Sequence, residues 1–171
     1  MTRQDFAFKW LLYAVALLPV LLLEFAVFSR WPLLGVSPVL VPVAAFTVAV
    51  LEGSTGGAGY GLFCALFWSA ATPGDTGGVF VTLTLLCLLA GLLAQRFLRQ
   101  NLLGCLLCSL LGLTVWELFR VAVRLFSRAA TLPQLLKIAL PELLLSLAFV
   151  LVIYPLYRAV YRKVGGTKLA D

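Results

Sequence analysis

The sequence predicts an all-α polytopic membrane protein of about six transmembrane helices, a single integral membrane domain over residues 1–171. Three observations predict it. Hydrophobic residues fill 63% of the positions and charged residues only 12%, whereas soluble chains average about 45–50% apolar and about 25% charged. Mean hydropathy is +1.07, so too little polar surface exists to clothe a water-soluble globule, and a bilayer can serve as solvent. Polar residues also gather in short groups that divide the chain into apolar runs suited to a membrane.

The first run extends from Trp10 to Phe28, with Pro19 inside it and Glu24 near its far end. Arg3 and Lys9 before it imitate a signal peptide, but the run exceeds the usual h-region and no small-residue cleavage site follows, so it reads as a retained helix. Arg30, Trp31, Pro32 and Gly35 then mark a loop whose tryptophan and arginine suit the headgroup layer. The second and third runs, 38–52 and 57–71, are short for spans and separated only by Glu52–Gly56, which predicts a tight helical hairpin. Thr72–Gly78, with a proline and paired glycines, is the clearest loop.

The fourth span covers 79–95, and Arg96 and Arg99 end it in a basic turn. The fifth covers 102–126. It is wholly apolar or small to Val115, after which Glu117, Arg120, Arg124 and Arg128 recur on one face. That pattern fits either one long helix or an interfacial turn near Trp116. The sixth covers 141–157, followed by Arg158, Arg162, Lys163 and Lys168, the aromatic-then-cationic mark of a membrane exit. Six spans put both termini on one side with eight of the thirteen basic residues, which predicts cytoplasmic termini. Arg30, Arg120, Arg124, Arg128 and Lys137 fall on the other side.

The net charge of +6 does not indicate nucleic acid, because the cations stand at the ends of apolar runs instead of forming a basic stripe. Cys64, Cys87, Cys105 and Cys108 all lie within apolar runs and read as small packing residues. Cys105 and Cys108 have metal or redox spacing, yet there is no second pair and no histidine. No cofactor or metal is expected. The serines lack a nearby general base, and the spans hold no pair of aspartates, so an intramembrane protease cannot be assembled and a non-enzymatic role is expected.

Two features remain as candidate sites. Gly53, Gly57, Gly61, Ala65 and Ser69 recur every four residues and place a small-residue stripe on the third helix, suited to internal packing or to a membrane partner. Gly104, Cys108 and Gly112 repeat the device on the fifth. Carboxylates in spans are costly and default to functional roles. Glu52 at a turn and Glu142 after Pro141, at an expected helix start, read as structural; Glu117 has Arg120 three residues on as an ion-pair partner. Glu24 has no local partner and is the leading candidate for a contact between helices or between proteins.

Arg30-Trp31-Pro32-Leu33-Leu34-Gly35-Val36-Ser37-Pro38-Val39-Leu40 resembles the signature that follows the first helix in the rod shape-determining MreD family, a proline, then Gly-Val, then a second proline leading into an apolar span. The similarity continues through Leu51-Glu52-Gly53, Gly57-Ala58-Gly59-Tyr60-Gly61-Leu62-Phe63 and Gly77-Gly78, and on to Pro141-Glu142 and the closing Tyr154-Pro155-Leu156-Tyr157-Arg158. Val39 stands where members often carry an aspartate and Ser69 where they often carry an acidic residue, so no site is carried over at those positions.

The resemblance implies a scaffold subunit of the rod complex, or elongasome, in the bacterial cytoplasmic membrane. It implies MreC as partner and, through the complex, MreB, RodA and a class B penicillin-binding protein. Helix faces would dock partner spans, with the Gly53–Ser69 stripe and the Arg120–Arg128 face, Arg124 included, as expected partner surfaces, while short basic turns would face the filament or anionic membrane lipid. In helix number and size such proteins are similar to the substrate-binding subunits of energy-coupling factor vitamin transporters, the alternative reading. The Ala-x-x-x-Ala pattern usual in the first helix of those subunits is missing, since Leu18 follows Ala14 and Val20 follows Ala16. A small secondary transporter or flippase would use Pro19 and Pro42 to break helices, but no convincing inverted repeat accompanies them.

Overall fold

The structure, a computed structural model, describes residues 3–28, 30–31, 36–71, 76–96, 102–126 and 132–163. It holds five helical runs: α1 (Arg3–Leu21), continued by a π-helical stretch (Leu22–Phe28), then α2 (Leu40–Ala71), α3 (Thr76–Arg96), α4 (Leu102–Phe126) and α5 (Leu132–Lys163). Four stretches among the described residues, Ala7–Phe28, Leu40–Ala71, Leu102–Phe126 and Leu132–Lys163, are long and apolar enough to cross a membrane. Phe80–Arg96 is a shorter apolar helix. The chain is thus an all-helical, multi-pass membrane protein.

The separate second and third runs expected from sequence form the single run α2, interrupted only at Gly53. There the backbone enters the left-handed region, with φ 84°, a conformation that costs glycine nothing and other residues a Cβ clash. The run is a hairpin and not a rod. Residues 49 and 57 of a straight helix lie about 12 Å apart at 1.5 Å per residue, yet a Cβ placed on Gly57 would stand 2.6 Å from the Ala49 Cα. The expected five-residue connection is therefore reduced to one residue, and Ser54, Thr55 and Gly56 belong to the second helical arm.

The first arm, 40–52, is about 20 Å long, short of the ~30 Å hydrocarbon core. Its length is tolerated because Leu40 through Leu51 are all buried. This arm is the centre around which the other helices pack, so it has no lipid boundary to match. Pro42 sits in its first turn, where no intrahelical amide bond is lost.

Three other boundaries differ from expectation. Thr76, Gly77 and Gly78, read as loop, open α3. α4 runs unbroken through Trp116, which decides for the long helix over an interfacial turn. α5 begins at Leu132, nine residues before the expected start. Pro133 occupies its first turn, the position suited to proline, and Pro141 lies in the interior. Pro32 and Gly35 of the expected headgroup loop, Arg99 of the expected basic turn and Arg128 lie outside the described residues.

Contacts sort the helices between two ends of the bundle. At one end Lys9 of α1 meets Glu52, Gly91 of α3 abuts Ser54, and Tyr157 of α5 meets Tyr60 of α2. At the other, Glu24 meets the start of α2, Phe25 and Trp116 pack on Trp68, and Arg120 of α4 meets Glu142 of α5. Successive helical passes run alternately between the Glu52 end and the Glu24 end.

Candidate functional site

Lipid tails offer helices no hydrophobic drive to associate, so close approach of backbones and buried polar contacts must hold the bundle. The small-residue stripe supplies the first. A Cβ on Gly57 would also lie 3.2 Å from the Cys87 carbonyl oxygen, and one on Gly61 would lie 2.8 Å from the Cys87 Sγ. Gly91 answers from α3, where a Cβ would stand 2.6 Å from the Ser54 backbone. Gly53 faces Gln95 in the same seam, and Ala65 is fully buried. Gly53, Gly57 and Gly61 of this stripe are thus packed against α3 and the first arm of α2, while Ser69 at its far end is half-buried.

On α4, Gly112 admits the Phe46 ring, to which a Cβ would come within 2.7 Å. Cys108 points its Sγ at the Ala90 carbonyl, 3.7 Å away. Cys105 donates to the Thr47 hydroxyl at 3.6 Å. The four cysteines are thus packing and weak hydrogen-bonding groups at helix crossings, and none is disulfide-bonded.

The polar contacts gather at the two ends. At the Glu52 end, Lys9 pairs with Glu52, and the Tyr13 hydroxyl donates to the same carboxylate at 2.7 Å. Tyr60 donates to the Tyr13 carbonyl at 3.2 Å, so the Tyr157 hydroxyl, 2.8 Å from that of Tyr60, is left to donate to it. α1, both arms of α2 and α5 are tied in one network.

At the Glu24 end the candidate carboxylate finds its partner in the backbone. One Glu24 oxygen accepts the amide N–H groups of Leu40 at 3.1 Å and Val41 at 2.7 Å, and the Val39 amide donates to the Ser146 hydroxyl at 2.8 Å. These amides open α2, where intrahelical acceptors are lacking and the helix dipole favours an anion. Glu24 is 6% exposed, so in this apolar setting it is a remote helix cap. The contact is between helices, across 16 residues of chain.

Beside it, Arg120 donates to Glu117 at 2.9 Å and to Glu142 at 2.7 Å. The predicted pairing of Glu117 with Arg120 is thereby present, while Glu142, expected to sit at a helix start, is instead in mid-helix and held by a guanidinium from α4. Arg124, one turn on, is exposed. Glu24, Trp68, Ser37, Arg120 and Glu142 line a cavity of about 330 Å³.

Lys9, Tyr13, Tyr157 and Ser146 escaped the sequence reading. Lys9 was legible only as a topology signal, although a cation next to a long apolar run and a carboxylate at a predicted turn are a pairing cue. Among the described residues no group of three or more metal-ligating side chains comes together. Comparison with protein-family models, with curated proteins and with solved structures gave no match.

Proposed function

We propose that this chain is a scaffold subunit of the bacterial rod complex, seated in the cytoplasmic membrane with six spans and cytoplasmic termini. Its job on this reading is to hold helix faces in fixed relation, so that MreC docks on it and, through the complex, MreB, RodA and a class B penicillin-binding protein are brought together. The observation that carries the reading is the ordered series of MreD-like motifs from Arg30 to Arg158. Several motif residues are also those on which the bundle depends. Leu40 is capped by Glu24, Gly53 reverses the chain, Gly57 and Gly61 admit α3, and Tyr157 meets Tyr60.

With most of the glycine stripe packed internally, docking falls to outward apolar faces, such as Leu11 and Val15 of α1, and to the exposed Arg124 of α4. The test is co-purification after mild detergent extraction: MreC is expected to accompany the full-length chain, and its absence from a monodisperse preparation overturns the assignment.

The cavity beside Glu24 favours one second reading, a vitamin-binding subunit of an energy-coupling factor transporter, whose six-helix architecture would be similar. A rise in melting temperature with riboflavin, biotin or thiamine is the outcome that selects it.

A further inference from the structure

The seam between α1 and the second arm of α2 opens toward the surroundings beside Trp10, Tyr60 and Phe63 and again near the Glu24 end. There a cavity of about 580 Å³ is walled by Leu18, Leu22, Ala26, Phe67 and Ala70, with Arg30 at its rim. The π-helical stretch Leu22–Phe28 forms one wall; such winding is rare and recurs at functional sites. It turns Glu24 and Phe28 inward and leaves Leu22, Leu23 and Val27 exposed. The rim carries the opposite chemistry from the walls. Arg30 is exposed and has no carboxylate partner among the described residues, and Trp31 beside it is 79% exposed. An exposed guanidinium and an exposed indole one helix-length from Lys9 fit the headgroup layer, where tryptophan is enriched and arginine binds phosphate oxygens.

We propose that this groove is a phospholipid site: an acyl chain lies between α1 and α2 along Leu18, Leu22 and Phe67, and the lipid phosphate is held by Arg30. Apolar walls alone would accept any hydrocarbon. The cation at the mouth, with no carboxylate partner among the described residues, adds a phosphate to that requirement, because the planar guanidinium fork matches phosphate oxygens. No bond is made or broken; the site selects and retains a lipid against the first helix.

The test uses the full-length protein in mild detergent, with native mass spectrometry reading lipid retained. Dioleoylphosphatidylglycerol is expected to bind saturably at one molecule per chain, and inorganic phosphate is expected not to displace it. Dioleoylglycerol, which has the chains without the phosphate, should bind about fivefold more weakly, the factor equivalent to the ~1 kcal/mol of an exposed ion pair. Arg30→Gln should lose the same factor and Arg30→Lys should restore most of it. Ala70→Phe, which fills the groove from an exposed position, should abolish retention. Equal binding of dioleoylglycerol, displacement by inorganic phosphate, or wild-type retention in Arg30→Gln would each overturn the site. Should Ala70→Phe not fold, the arginine variants still decide. Failure to recover MreC leaves lipid retention untouched, so the two results stand apart.

Discussion

At the Glu52 end one ammonium meets one carboxylate, and a tyrosine hydroxyl completes the carboxylate's second oxygen. At the Glu24 end three carboxylates, Glu24, Glu117 and Glu142, are served by one guanidinium and by the first amides of α2. Both solve the same problem, since a charge in hydrocarbon must be paired or hydrogen-bonded. They solve it with different material. The Glu52 end uses a side-chain ion pair, a kind of contact that apolar side chains of similar volume can often replace. The Glu24 end uses a backbone terminus, which no mutation removes, and so its carboxylate satisfies groups that would otherwise stand open. The first end is a clasp between helices, and the second is part of how α2 is allowed to begin inside the protein.

The contrast ranks three substitutions. Arg120→Ala should have the largest effect, because it strands two buried carboxylates at once; breaking a buried pair costs about 3–5 kcal/mol. Denaturation in a detergent titration should show that loss, with Arg120→Lys recovering part of it, and a loss below about 1 kcal/mol would show that Glu117 and Glu142 do not depend on the guanidinium. Glu24→Ala should come next. It removes the one oxygen that the Leu40 and Val41 amides share, about 2 kcal/mol at ~1 kcal/mol for each, whereas Glu24→Gln keeps an oxygen in place and forfeits only the charge–dipole attraction, about 0.3–1 kcal/mol. Equal melting temperatures for the two variants would remove the capping role.

The smallest change is expected at the other end. Lys9→Met, Glu52→Leu and Tyr13→Phe together should move stability by no more than about 1 kcal/mol, since apolar replacement of a whole buried ion pair is often neutral or stabilising. A triple variant as unstable as Arg120→Ala would erase the distinction between the ends.

Much of the helical framework was legible in the chain itself. The apolar runs, the hairpin around Gly53, the fifth run from Leu102 to Phe126 and the Glu117–Arg120 pair all follow from local rules, namely hydropathy, glycine's access to positive φ and the i, i+3 spacing of a helix. Boundaries were less legible where two local signals competed. Pro141 before Glu142 imitates a helix start, and only the continuation of α5 back to Leu132 shows that Pro133 holds that place.

The partners of the charged and small residues were beyond the sequence, because they lie far apart along the chain. Nothing local links Glu24 to Val41, Lys9 to Glu52 or Arg120 to Glu142. Nor does a four-residue stripe reveal whether it will meet a helix of its own chain or of another. Composition and periodicity determined that this chain lies in lipid as helices, since those depend on solvent and on neighbours within a turn or two. Which polar group meets which, and which faces remain open, was decided by three-dimensional packing, because in a bilayer backbone approach and polar pairing between distant segments select among arrangements that the hydrophobic effect leaves nearly equal.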